Sequence, residues 1–201
     1  RNTRHRHRGV FPRTHPQETG GNQGVRVVRM PFIAGYLFDD DSVNLDAFNE
    51  AVWTLKSKHD LEVYIEPGST FVRDAGFLVS TVLDLIENGG KSIAILDTSV
   101  NHLPESFEYD WRPDVLTDIK HGRYSYIIAG STCLAGDVFG EYSFAEPLEV
   151  GTKVVMHGVG SYNLVKAHTF NGLPLPSIYA LHADGEVTLV KDFTLKEQSQ
   201  K

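Results

Sequence analysis

Apolar side chains recur at helical spacing in one stretch, between residues 45 and 59. Leu45, Phe48, Val52 and Leu55 follow one another at intervals of three or four, which is the pattern of a helix with one buried face. An acid near the start of this stretch and basic residues near its end suit the helix dipole. The pattern predicts a helix over residues 45–59, followed by a short strand over residues 61–65.

Beyond residue 76 the pattern changes to short β-branched and aromatic runs separated by turn residues. Asn88-Gly89-Gly90 and Asp184-Gly185 are typical hairpin turns. Residues 113–122 indicate a loop. The predicted strands span residues 77–86, 92–96, 124–128, 153–157, 162–170, 177–182 and 186–193. Short strands at such regular spacing predict an antiparallel β-barrel or sandwich.

Charge is unevenly distributed along the 201 residues. Seven arginines and one acid give residues 1–29 about +6, which leaves about −13 on the remainder of a chain whose net charge is −7. We expect a disordered arm over residues 1–30, because it holds few large apolar side chains. The acidic remainder argues against nucleic acid as a partner. No apolar run is long enough to span a bilayer, so no membrane partner is expected. A single cysteine fits a cytoplasmic location.

That cysteine, Cys133, lies in a glycine-flanked loop that follows a predicted strand and reaches Asp137 four residues later. One interpretation makes Cys133 a small buried hydrophobe, as free cysteines usually are. The other makes it a thiol held in a fixed direction. Nucleophilic catalysis would need a neighbouring base, and nothing in the sequence places a histidine there.

Other candidate motifs have ordinary structural explanations. The histidines at positions 5, 7 and 15 lack the spacing of a closed metal site, so no metal is expected. Gly158-Val-Gly160 lacks the Gly-Lys-Ser/Thr ending of a phosphate loop and is typical of a turn. Glu66 suits a solvated acid at a strand end, and Tyr162 suits a strand aromatic.

Taken in order, several motifs resemble one known family. They are Glu66-Pro67-Gly68, Asp74-Ala75-Gly76, Asp97-Thr98, Gly130-Ser-Thr-Cys-Leu-Ala-Gly-Asp137, Tyr162 and Thr169-Phe-Asn-Gly172. Together they resemble the C-terminal half of the fold-type III pyridoxal-phosphate decarboxylases, the group that acts on ornithine, diaminopimelate and carboxynorspermidine. The Cys-Leu-Ala-Gly-Asp form and His102-Leu-Pro104 are most similar to the carboxynorspermidine members.

The resemblance implies a mixed α/β, mostly β fold. Residues 31–70 would be a remnant of a β/α barrel of the TIM type, and residues 71–201 a C-terminal antiparallel β-barrel domain. It also implies a homodimer in which two chains pair head to tail and share active sites. The cofactor implied is pyridoxal 5′-phosphate, and the substrate is a small amino acid.

Site residues follow from the same resemblance. Glu66 corresponds to the acid that faces the pyridine nitrogen of the cofactor, where a carboxylate keeps the ring protonated. Gly68 and Gly35 correspond to positions near the cofactor phosphate, and Tyr162 to a tyrosine that donates a hydrogen bond to it.

Three further residues are implied on the substrate side. Cys133 corresponds to a cysteine contributed by the partner chain, which would act as general acid and return a proton to the α-carbon. Asp137 would lie close to the substrate amine, and His102 is a second candidate for substrate binding.

Two departures from the family pattern stand out. The cofactor lysine in its Tyr-Ala-x-Lys setting is missing from this sequence, and Phe32-Ile-Ala-Gly35 replaces a triple-glycine loop. We therefore expect the C-terminal portion of a decarboxylase of carboxynorspermidine or carboxyspermidine, inactive alone. The alternative is a non-catalytic dimerisation module that regulates a full-length decarboxylase.

Overall fold

The computed structural model describes residues 26–30, 45–65 and 72–193. The chain divides between Pro67 and Gly68 into two compact units. Residues 26–30 form a strand, so the expected disordered arm does not extend over them. Because residues 1–25 lie outside the described residues, disorder there stays a prediction, as do the boundaries at residues 30 and 70.

The first unit contains two strands and one long helix. Strand β1 spans Arg26–Met30, helix α1 spans Leu45–His59 and strand β2 spans Leu61–Ile65. The predicted helix and the strand after it are therefore confirmed. Strands β1 and β2 pair in parallel, which requires a crossover connection such as the one that contains α1. This strand–helix–strand order is that of a β/α unit, while the barrel remnant itself stays a prediction.

Most of the second unit is a β-sheet domain. Its elements are β3 (Phe77–Asn88), β4 (Lys91–Leu96), α2 (Pro104–Glu108), β5 (Asp114–Val115), β6 (Tyr124–Ala129), β7 (Val138–Phe144), β8 (Lys153–His157), α3 (Asn163–Lys166), β9 (Ile178–Leu181) and β10 (Val187–Lys191). Six strands form one sheet in the order β5-β8-β3-β4-β6-β7, and only β4 and β6 pair in parallel. The hairpins β3–β4 and β9–β10 form as predicted.

The sheet curls until its two outer strands approach each other. In the turn that follows β5, the Ile119 N–H donates to the Ser143 carbonyl of β7 at 2.8 Å, and Asp118 Oδ1 accepts from the Ser143 N–H at 2.8 Å. These bonds cover part of the open edge of β7. The mostly β, barrel-like domain expected from the sequence is confirmed.

The core fills the inside of this curled sheet. In the first half of β3, alternate residues are buried (Leu78, Ser80 and Val82), as the period of two requires. The largest fully buried side chain is Tyr142, whose hydroxyl donates to the Pro113 carbonyl at 2.7 Å. Other buried apolar side chains include Leu78, Val82, Leu96, Val100, Leu103, Ile128, Phe139, Phe144, Val154 and Met156.

Two local predictions were wrong, and one strand was missed. The strand expected over residues 162–170 is replaced by α3 and a 3₁₀ turn at Phe170–Gly172. The loop expected over residues 113–122 contains the short strand β5. Strand β7 was not predicted, because Gly140 interrupts its alternation; φ is +141° there, and the Arg112 side chain packs against it.

The connection between β8 and α3 crosses the segment before β3 at very short range. The Gly160 N–H donates to the Arg73 carbonyl at 2.8 Å, and the Val159 N–H donates to the Gly76 carbonyl at 3.3 Å. A Cβ atom on Gly160 would lie 2.2 Å from the Val72 carbonyl oxygen, and one on Gly76 would lie 2.2 Å from the Gly160 Cα. Gly158-Val-Gly160 is thus a close backbone crossing between a strand and a helix, which its interpretation as a turn did not foresee.

Candidate active site

The Cys133 loop connects β6 to β7 at one end of the sheet. Its base is closed by the Gly130 N–H, which donates to the Asp137 carbonyl at 2.9 Å, and the Ser131 N–H reaches across to the Thr98 carbonyl at 2.9 Å. Cys133 itself is exposed. The interpretation of this cysteine as a small buried hydrophobe was therefore wrong. The loop presents the thiol to solvent on a base fixed by backbone bonds.

The Asp137 carboxylate fastens the loop to the segment that follows β4. Its Oδ1 accepts from the Ser99 hydroxyl at 3.0 Å and the Val100 N–H at 2.8 Å. Its Oδ2 accepts from the Thr132 N–H at 3.1 Å and the Thr132 hydroxyl at 2.6 Å. The residue is 5% exposed, and a Cβ on Gly130 would lie 2.3 Å from Oδ1.

These four bonds occupy the four acceptor positions that a carboxylate offers. In this chain the Asp137 carboxylate therefore has a structural role, which is to hold the loop in place. The contact with a substrate amine implied by the resemblance stays a prediction, and these contacts do not favour it.

His102 lies buried at the end of the same segment. Its Nδ1 is 2.8 Å from the Thr98 hydroxyl, and its Nε2 is buried. Burial lowers the pKa of the imidazole to about 4, opposed by the Pro174 backbone and by Asp137. His102 is therefore neutral at pH 7, and its expected contact with substrate stays a prediction.

Neutral His102 makes stability depend on pH. Its pKa is about 4 in the folded chain and 6.5 ordinarily, so between these values the unfolded chain binds more protons. The free energy of unfolding should fall as pH is lowered from 6.5 towards 4, by about 3 kcal/mol from this group. Denaturant unfolding at several pH values tests this. His102→Asn should remove that part of the slope, whereas His121→Asn, at an exposed histidine, should keep it; an unchanged slope in His102→Asn contradicts the prediction.

Tyr162 lies at the start of α3, immediately after the glycine crossing. Its side chain is 43% exposed, and its carbonyl accepts from the N–H groups of Val165 and Lys166 at 3.2 and 2.9 Å. No hydrogen bond links its hydroxyl to the residues that the structure describes. Tyr162 is therefore an exposed phenol on a helical turn, in place of the strand aromatic that was expected.

The remaining predicted site residues cannot be compared with this arrangement. Glu66, Gly68 and Gly35 lie outside the described residues, so their expected contacts with the cofactor stay predictions. Histidines 5, 7 and 15 lie outside them too. Within residues 26–30, 45–65 and 72–193, no group of three or more His, Cys, Asp or Glu side chains could hold a metal ion.

Sequence reasoning missed the residues that hold these candidates in place. These residues lie in the segment 99–105. At its start Ser99 binds Asp137, and at its end Glu105 binds Asn163, the residue after Tyr162. Between them, Asn101 donates to the Phe170 carbonyl at 3.0 Å and accepts from the His168 N–H at 3.1 Å. Pro104 followed by an acid is a helix-start signal that could have marked Glu105, whereas its long-range partners have no local signal.

Comparison with known proteins identifies the domain. Residues 35–160 match the family model described as pyridoxal-dependent decarboxylase, C-terminal sheet domain. The chain belongs to this decarboxylase family. Over 156 residues it is 38% identical to the carboxynorspermidine/carboxyspermidine decarboxylase of Campylobacter jejuni, covering 71% of this chain and 41% of that protein. It is 36% identical over 163 residues to the carboxyaminopropylagmatine decarboxylase of Synechocystis, and the match covers 79% of this chain and 42% of that protein.

Solved structures agree with this family. The crystal structure of carboxynorspermidine decarboxylase from Campylobacter jejuni, complexed with norspermidine, superposes with a TM-score of 0.70 at 32% identity, covering 87% of this chain and 50% of that one. The chain thus spans about half the length, or less, of the decarboxylases it matches. The resemblance inferred from the motifs is confirmed, and the family is pyridoxal-dependent.

One described residue, Tyr162, is chemically compatible with the expected contact to the cofactor phosphate, which stays a prediction. Tyr162 presents an exposed phenol whose hydroxyl can donate a hydrogen bond to a phosphate oxygen. Cys133 is the exposed thiol of the same domain.

The described helices are too short or too polar to cross a membrane.

Proposed function

We propose that the protein to which this domain belongs decarboxylates carboxynorspermidine or carboxyspermidine, using pyridoxal 5′-phosphate. The observation that carries the proposal is the 38% identity to the Campylobacter jejuni enzyme that bears those substrates in its name. The acidic charge of the chain, −7 in total, supports it, since a negative protein attracts a polyamine cation. The carboxyaminopropylagmatine decarboxylase at 36% identity names a second polyamine precursor of the same class.

Two described residues take roles in this reaction. When bound, the cofactor supplies the electron sink that accepts the electron pair left behind as CO₂ departs. Cys133 then acts as general acid: its exposed thiol gives a proton to the α-carbon and is reprotonated from water. Tyr162 holds the phosphate through its phenol. The overall change replaces the α-carboxylate with hydrogen and releases CO₂.

We propose further that the protein is a cytoplasmic homodimer with shared active sites. Exposed apolar side chains near the Cys133 loop support an interface there, because large apolar patches mark association surfaces. Phe107 in α2 lies beside Gly136 of the loop, and α3 and the turn after it add Leu164, Val165 and Phe170, all more than half exposed. A single cysteine, which cannot form an internal disulfide, fits a reducing compartment.

A hybrid enzyme tests the activity. Residues 35–201 of this chain would follow the part of the Campylobacter jejuni decarboxylase that the chain does not match. We expect it to release CO₂ from carboxynorspermidine, with slower release from diaminopimelate and carboxyaminopropylagmatine as comparison substrates. Gel filtration and cofactor absorbance establish that the hybrid has assembled, and an assembled hybrid without activity on any of the three contradicts the proposal.

A mixing experiment addresses the regulatory alternative. The chain would be added in increasing amounts to the intact Campylobacter jejuni decarboxylase. Under our proposal the rate stays constant, whereas a dose-dependent change in rate would favour the non-catalytic module.

A further inference from the structure

Both neighbours of Tyr162 in the sequence bind the same side chain, that of Glu105. The Ser161 hydroxyl donates to Glu105 Oε2 at 3.4 Å, and the Asn163 side-chain amide donates to the same oxygen at 3.5 Å. The Asn163 Oδ1 accepts from the Glu105 N–H at 3.3 Å. These bonds are longer than typical hydrogen bonds, but they converge from both sides of Tyr162 onto one residue 58 positions away from Asn163.

Burial gives this contact its importance. Asn163 is 1% exposed and Glu105 is 5% exposed, so polar groups left unsatisfied here would be costly. Glu105 lies in the first turn of α2, which has Pro104 at its first position and lacks a side-chain cap at Leu103. Asn163 therefore satisfies one of the N–H groups that a helix start leaves without an intrahelical partner.

The contact restricts the backbone on either side of Tyr162. Residues 161 and 163 are held by Glu105, and the Tyr162 carbonyl is held by the α3 turn. Only the two side-chain torsions of the tyrosine stay free, while its hydroxyl makes no hydrogen bond to the described residues. Side-chain torsions occupy only a few staggered wells, so the backbone at Tyr162 limits the phenol to a small set of directions. That backbone is held by Glu105 and Asn163.

We propose that Glu105 and Asn163 are positioning residues for Tyr162, which fix its phenol in the direction required to bind a phosphate group. The ligand part of this inference rests on the proposed function, since that is what gives Tyr162 a phosphate to bind. Neither residue contacts the ligand. They act by holding the residues on either side of the tyrosine in place.

Four variants separate positioning from general stability. Glu105→Ala removes the shared acceptor. Asn163→Asp keeps the shape but sets a carboxylate against Glu105. Glu105→Gln keeps an oxygen at the Oε2 position and should restore wild-type behaviour. Ser106→Ala is the control, because Ser106 is equally buried in α2 but donates to the Trp111 carbonyl at 2.8 Å, away from Tyr162.

The first measurement is ¹⁹F NMR of the full chain with 3-fluorotyrosine at position 162. Glu105→Ala and Asn163→Asp should shift or broaden this signal, and Glu105→Gln and Ser106→Ala should leave it unchanged. A wild-type signal in both Glu105→Ala and Asn163→Asp overturns the proposal. Circular dichroism shows whether each variant folds. If Glu105→Ala does not fold, the fluorine signal of Asn163→Asp alone tests the proposal.

The second measurement is the dissociation constant of the hybrid decarboxylase for pyridoxal phosphate, compared with that of its Tyr162→Phe variant. We expect Tyr162→Phe, Glu105→Ala and Asn163→Asp in the hybrid each to bind about tenfold more weakly, the equivalent of losing one charge-assisted contact. Unchanged affinity in Tyr162→Phe, or no binding by the assembled hybrid, counts against the proposed function. The fluorine spectra still decide whether Glu105 and Asn163 position the phenol.

Discussion

Replacing Cys133 with alanine in the hybrid decarboxylase is expected to lower kcat by about 10²- to 10⁴-fold, the usual contribution of a general acid. The thiol is the proton donor in the proposed reaction, and serine at this position should restore little activity because a hydroxyl is a far weaker acid. KM should change little, since the thiol acts on the α-carbon after CO₂ has left. Steady-state kinetics with carboxynorspermidine measures both constants.

Stability provides the internal control for this result. Because Cys133 is exposed, Cys133→Ala should move the free energy of unfolding by less than about 0.5 kcal/mol. Ser131→Ala, two residues earlier in the same loop, should keep kcat within a fewfold of wild type. Full activity in Cys133→Ala would mean that another group returns the proton.

The largest effect on stability is expected from Asp137→Ala. The carboxylate accepts four hydrogen bonds, two of them from the backbone N–H groups of Val100 and Thr132. Removing it leaves buried donors without acceptors, which should lower the free energy of unfolding by about 3–5 kcal/mol. Urea unfolding followed by circular dichroism gives the value.

A matched control is available at Asp84 in β3. This residue is exposed, and its carboxylate accepts from the adjacent Leu85 N–H. Asp84→Ala should cost less than about 0.5 kcal/mol. Equal losses in Asp84→Ala and Asp137→Ala would show that the buried contacts of Asp137 are unimportant.

Local patterns were enough to predict the elements whose stability is local. Helix α1 was found from the spacing of its apolar residues, and the β3–β4 hairpin from Asn88-Gly89-Gly90, where both glycines have positive φ. In such elements the residues that determine the conformation lie next to one another in the sequence.

Where long-range contacts decide, the sequence was misleading. Residues 162–170 carry aromatic and β-branched side chains that favour a strand, yet they begin with a helical turn, in which the buried Asn163 Oδ1 accepts from the Glu105 N–H. Exposure of Cys133 likewise depends on Asp137 reaching Ser99, 38 positions away. Resemblance identified Cys133, Asp137 and Tyr162, and the helix-start signal at Pro104 could have indicated Glu105. No local pattern, however, shows which distant residues these side chains contact.

The glycine crossing between residues 72–76 and 158–160 also limits how this domain can diverge. Backbone atoms occupy the space that any side chain at Gly76 or Gly160 would need, so no neighbouring side chain can shrink to make room for one. A relative that carries a larger residue at one position must have separated the two segments there. Tyr162 follows the crossing by two residues. In such a relative, the residue at this position would therefore lie farther from the segment that precedes β3.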